Sequence, residues 1–245
     1  EEARRSFLLR GYPEGQFICI HNGIEPLRPP ATGAGTSVRA ELGVAPEAPV
    51  MLTVARMTPQ KGYDVLLAAA PAVLARYPDA QFVWVGEGPE REALAAGARD
   101  LGVGHAVRFL GHRDDVPSLM STADLLVLPS RFEGHPSVAL EALSMGLAVV
   151  GTRVCGMEEA VADGETGLLV EPEQPEALST AIAELLADPP RRERMGQAGR
   201  LRVHRRFTAR LMAKATMDLY DELLAEHLPR PYRLQGAETL AERAG

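Results

Sequence analysis

Strand-like and helix-like runs alternate along most of this chain, and that alternation restricts its fold more than any other feature. Short, almost unbroken apolar runs occupy 16–20, 49–55, 81–85, 106–110, 125–128 and 148–151. Runs with no polar face are typical of parallel strands buried on both sides. Helical patterns fill 62–77, 90–101, 116–122 and 137–145, and later 175–187, 191–206 and 209–227. Pro71 falls inside the first helix and is expected to kink or split it. The pattern predicts βαβ units and an α/β fold with a doubly wound, Rossmann-like parallel sheet. The Pro-, Gly- and Ala-rich stretch 25–48 reads as a loop or linker, and the chain beyond 229 as a tail.

Composition narrows the function classes. The 245 residues carry a formal net charge of -7, unlike the basic surface of a general nucleic-acid binder. A basic pocket for a phosphorylated small molecule remains compatible with that balance. No apolar run has the length of a membrane span. Cys19 and Cys155 are the two cysteines. They lack metal-ligand spacing and suit a reducing, cytoplasmic setting.

Ligands of doubly wound sheets bind at the carboxyl ends of the strands, so the loops after strands matter most. In the first, Arg56 follows a strand at once and Lys61-Gly62 opens a helix. A guanidinium fork, a compact ammonium and a helix N-terminus together suit a diphosphate. Two solvated surface cations would give the same spacing. The second loop, 85–90, begins like a dinucleotide fingerprint, but Arg91 stands where its third glycine belongs. Gly86 therefore reads as part of a tight turn that keeps backbone close to a ligand. The third loop places Glu133 just before a helix start and Glu141 about one turn inside it. Both carboxylates can accept from sugar or ribose hydroxyls. Capping explains acidic residues near a helix start equally well. A glycosidase acid/base pair is a further alternative, although nothing else in the sequence builds a saccharide cleft.

The ordered motifs resemble the C-terminal domain of the retaining GT-B glycosyltransferases of family four, also called glycosyl transferases group 1. The segment 20–25 is similar to that family's N-G-[IV]-[DE] entry, and 56–62 to its R-x4-K-G loop. Residues 85–89 resemble V-G-x-G-P, 109–111 F-x-G, and 133–141 the E-x7-E motif. The stretches 146–150 and 163–170, then Phe207-Thr208, follow in the family's order. The likeness spans about 15–225.

The resemblance implies one half of a GT-B fold. Residues 1–30 would be linker and entry strand, 31–208 the nucleotide-sugar domain, 209–229 a cross-over helix and 230–245 a tail. It implies that Arg56 and Lys61 hold the donor diphosphate, that Glu133 contacts the transferred hexosyl group and that Glu141 accepts from the ribose. Backbone of Gly134, His135, Pro136 and Ser137 would face sugar and phosphates, with Gly86 nearby. Backbone at Gly111, His112 and Arg113 would line the base pocket. No D-x-D pair is present, so neither a metal nor another cofactor is expected. The partners implied are a nucleoside-diphosphate sugar and an N-terminal acceptor-binding domain that this chain lacks. Any membrane association would come through that domain. A stand-alone nucleotide-sugar-binding subunit and a nucleotide-sugar epimerase are the alternatives. Two departures stand out. His135-Pro136 replace the usual Phe-Gly, which removes one backbone donor, and the ring of His135 reads as packing. Cys155-Gly156 replace a more usual Gly-Gly.

Overall fold

Six parallel strands make one sheet in the order β3-β2-β1-β4-β5-β6. In chain order the elements are α1 (Ala34–Glu41), β1 (Val50–Val54), α2 (Tyr63–Arg76), β2 (Gln81–Val85), α3 (Arg91–Asp100) and β3 (Val107–Gly111). Then come α4 (Val116–Met120), β4 (Leu125–Leu128), α5 (Ser137–Met145), β5 (Val149–Thr152), α6 (Cys155–Ala160) and β6 (Gly167–Val170). The last elements among the described residues are α7 (Pro175–Ala187), α8 (Pro189–Arg206) and α9 (Ala209–His227). The computed structural model describes residues 17–28 and 34–227, together with Leu9, Gly11 and Pro13. The expected tail, 230–245, and most of 1–16 lie outside the described residues.

Strand alternation builds two cores, one on each face. Met51 of β1, Phe82 and Trp84 of β2, and Leu125 and Val127 of β4 pack with Tyr63 and Leu66 of α2 and with Ile182 and Leu185 of α7. Their neighbours Val50, Leu52, Val83, Leu126 and Leu128 turn the other way, onto α4, α5 and α6. Burial on both faces explains why these strands read as continuous apolar runs.

The order of strands fixes where a ligand can bind. The chain steps outward from β1 through β2 to β3, returns to the centre, and steps the other way from β4 to β6. Between β1 and β4 the winding reverses, and ligands of doubly wound sheets bind outside the strand carboxyl ends at such a reversal. The loops that leave those two ends are 55–62 and 129–136, which hold Arg56, Lys61 and Glu133.

Several expectations need correction. The described part of the first expected strand, 17–20, forms no strand. Pairing starts instead at Ile24, whose amide donates to Phe207 O at 2.8 Å and whose carbonyl accepts from Ala209 N at 2.8 Å. The entry segment is thereby tied to the start of α9 and not to the sheet. Stretch 25–48 contains α1, whose Arg39 guanidinium reaches the Ala48 and Thr122 carbonyls at 3.0 and 2.7 Å. Pro71 does not split α2, which runs unbroken from Tyr63 to Arg76. It lies on the exposed side, where a lost backbone donor is tolerated. The strand β6 and the short helix α6 had not been anticipated.

Candidate active site

The loop after β1 is shaped by contacts with its neighbours. Pro59–Lys61 form one 3-10 turn, and Gly62 ends it with φ 65°. A Cβ at Gly62 would sit 2.0 Å from Pro129 O. Only glycine fits there, and its absence of a side chain brings the loops after β1 and β4 together. They are then stitched. Arg131 N donates to Gln60 O at 2.8 Å, and Gln60 Nε2 donates to Phe132 O at 3.1 Å. The Arg131 guanidinium also reaches Asp64 and Glu173.

This stitching joins two residues that lie 72 positions apart. Lys61 Nζ donates to both carboxylate oxygens of Glu133, at 2.7 and 3.0 Å. Ser130 Oγ donates to the same carboxylate at 2.6 Å. Glu133 is only 8% exposed, so its charge depends on these donors. Lys61 is accordingly not a solvated surface cation, and Glu133 is not a helix cap. Thr152 at the end of β5 donates to Ser130 O, which holds the serine from behind. Arg56, in contrast, stands exposed at the end of β1. Together they offer one exposed cation, one paired cation and one buried carboxylate at the reversal of the sheet. Such a set can take a dianionic group and a hydroxylated one side by side.

The glycine turn after β2 serves the backbone. Gly86 has φ 126°, and a Cβ there would meet Ala55 O at 2.1 Å; a Cβ at Gly88 would meet Met57 O at 2.2 Å. Gly86 N also donates to Gly111 O at 2.7 Å. These glycines let the turns after β1, β2 and β3 nest. The side chains of His112 and Arg113 engage Asp114, and Asp115 with Glu41, respectively.

Helix α5 starts at Ser137 after Pro136, whose carbonyl accepts from Ala139 N at 3.0 Å. Gly134 and Ser137 are exposed. Glu141 lies in the second turn, half-buried, and burial raises its carboxyl pKa above the ordinary value. Hydroxyl donors would offset that burial by stabilising the ionised carboxylate. His135 packs as expected, its ring 5.3 Å from Phe207 and 5.7 Å from His21. Burial, then the neighbouring His21, lowers its pKa. Both ring nitrogens are buried without a hydrogen-bond partner. Gly156 donates to Glu133 O at 3.2 Å, and a Cβ there would lie 1.9 Å from Gly134 O.

Sequence reasoning missed Ser130, Gln60 and Arg131. All three lie inside the loops 56–61 and 130–137 that follow β1 and β4, but no role was read for them. That placement was the available signal.

The glycosyl transferases group 1 model matches residues 36–202. The chain belongs to this family. As a group 1 sequence it is 36% identical over 209 residues to D-inositol 3-phosphate glycosyltransferase of Corynebacterium urealyticum, covering 82% of this chain and 49% of that protein. The chain spans about half the length of the curated relatives it matches. Anabaena HepE in complex with UDP superposes with a TM-score of 0.83 at 26% identity, over 89% of this chain and 61% of HepE. The C-terminal domain of the group 1 protein LpcC from Francisella tularensis superposes with a TM-score of 0.64 at 25% identity. That match covers 74% of this chain and 95% of the domain. The fold is therefore the Rossmann-like half of the GT-B type. Among the described residues no helix is long and apolar enough to cross a membrane.

Proposed function

We propose that this chain is the donor-binding half of a retaining glycosyltransferase, which holds a nucleoside-diphosphate sugar while a separate N-terminal domain holds the acceptor. The observation that carries this reading is the Lys61–Glu133 pair at the reversal of the sheet, 2.7 Å apart, beside exposed Arg56. The complex of HepE with UDP supports the ligand class.

In this reading Arg56 and Lys61 take the diphosphate without a bridging metal. Their charge stabilises the leaving group as negative charge develops on it. Lys61 turns from Glu133 toward phosphate, and Glu133 exchanges that donor for a hydroxyl of the transferred hexose. Ser130 keeps the carboxylate in place through the exchange. Glu141 accepts from the ribose, and backbone around Gly111 lines the base. Gly134 leaves space, since a Cβ there would meet nothing within 4 Å; the sugar lies against it. The acceptor proton goes to the departing phosphate oxygen, so no protein base is needed on this half. The exposed side chains of Met217, Tyr220, Leu223 and Leu224 on α9 are the surface that the other half covers.

The experiment has two stages. A thermal-shift panel of nucleoside diphosphates and their sugar conjugates identifies the donor. Product formation is then followed with an acceptor panel, with and without an added N-terminal domain. Transfer is expected only with that domain, because acceptor positioning contributes about 7–11 kcal/mol. Acceptor-dependent transfer by this chain alone, at ordinary turnover, would contradict the half-enzyme reading.

A further inference from the structure

We infer that Cys19, His21 and Glu159 form a zinc site, with water as the fourth ligand. The site is separate from the diphosphate grip and does not depend on it. Cys19 and His21 stand two residues apart on the entry segment, and Glu159 comes from α6. The His21 Nε2 and Glu159 Oε2 atoms are 2.9 Å apart. One ligand atom from each of the three residues lies within 4.8 Å of the other two. Zinc bonds of 2.0–2.3 Å in a tetrahedron set ligand atoms roughly 3.3–3.8 Å apart. Side-chain movements of about an ångström close the set around an ion.

The donor chemistry selects the metal. Thiolate sulfur, imidazole nitrogen and carboxylate oxygen suit zinc. Magnesium and calcium prefer oxygen alone. On binding, the Cys19 S–H bond breaks, its proton passes to solvent and a sulfur–zinc bond forms. The side chains of His21 and Glu159 are 28% and 20% exposed, which leaves a path for the ion.

A second observation points to a polar occupant. The same cleft, of about 260 Å³, is lined by Cys19, His21, Gly134, His135, Cys155 and Glu159. The His135 nitrogens, buried and without a hydrogen-bond partner, need a donor or acceptor there. A water on zinc supplies one. Zinc in this place ties the entry segment to α6, and so to the Glu133–Gly134 loop that Gly156 contacts.

Cobalt(II) titration of the chelator-stripped chain tests the site, since cobalt reports thiolate ligation by near-ultraviolet charge transfer and tetrahedral geometry by its visible bands. The wild type is expected to bind one equivalent with both signatures, and zinc is expected to displace it. Cys19→Ser should abolish the charge-transfer band and weaken zinc at least tenfold in competition with a chromogenic chelator. Cys155→Ser, which changes the cleft but not the ligand set, should retain both. If metal-free Cys19→Ser does not melt like the wild type, His21→Gln should show the same tenfold loss. UDP titrations run in parallel report on the donor site separately and should not change in any of these variants. No thiolate band in the wild type, a band that survives Cys19→Ser, or one lost only in Cys155→Ser would overturn the proposal.

Discussion

Glu133 is 8% exposed, and its carboxylate relies on donors from Lys61 and Ser130. In the proposed reading a diphosphate competes for the same ammonium. If Lys61 leaves, the buried carboxylate loses a partner, and breaking such a pair is costly. Only a ligand with a hydroxyl to offer restores that partner. The free nucleoside diphosphate should therefore bind less well than its sugar conjugate. Replacing Glu133 by Gln removes the competitor for Lys61. Glu133→Gln is expected to leave nucleoside diphosphate affinity unchanged or tighter, and to weaken the conjugate by about 1.5–3 kcal/mol. Paired calorimetric titrations would show this; equal loss for both ligands would mean that Glu133 does not read the sugar. Glu141 gives a second test. Its folded pKa is raised by burial, so the folded state binds this proton more tightly than the unfolded chain. Stability from that group is present at low pH and is lost as pH rises through and above the ordinary value of 4.5. Glu141→Gln should raise the melting temperature at neutral pH, flatten that decline, and weaken nucleotide binding. A variant no more stable than the wild type at neutral pH would refute the assigned cause.

At the scale of elements, the strands were legible because burial on both faces leaves continuous apolar runs. β1, β2 and β4 fall where those runs lie. The strand β6 is no shorter than β4 or β5, but its burial alternates, so it leaves no continuous apolar run. The helix α6 is only six residues long, too short for a helical period. The Lys61–Glu133 pair was not legible as a pair, because no local spacing reports a contact across 72 residues. It arises from glycine at 62, which lets two loops touch. The glycines also divide by task, and that division can be measured. Gly86→Ala must displace the Ala55 carbonyl and hold a positive φ, so it is expected to destabilise by about 1–3 kcal/mol. Gly134→Ala adds a methyl to open space, so its melting temperature should match the wild type while binding of the sugar conjugate falls. Melting curves and titrations on the two variants separate these outcomes. A Gly134→Ala variant that binds normally would remove that loop from the sugar site.

For the whole molecule, the two windings of the sheet bring the loops after β1 and β4 together, and among the described residues Met217, Tyr220 and Leu224 of α9 are exposed. In the proposed reading these loops are one side of the site, and the acceptor comes from a separate domain. The grip itself makes the central claim: side-chain cations, not a divalent metal, hold the donor diphosphate. Calorimetric titration of the donor identified by the thermal-shift panel, in excess chelator, tests that claim most directly. Wild-type chain is predicted to bind with the same affinity as without chelator, and Lys61→Ala to bind more weakly by about 1.5–3 kcal/mol. Binding that disappears under chelation in the wild type, or that is indifferent to Lys61→Ala, would contradict it.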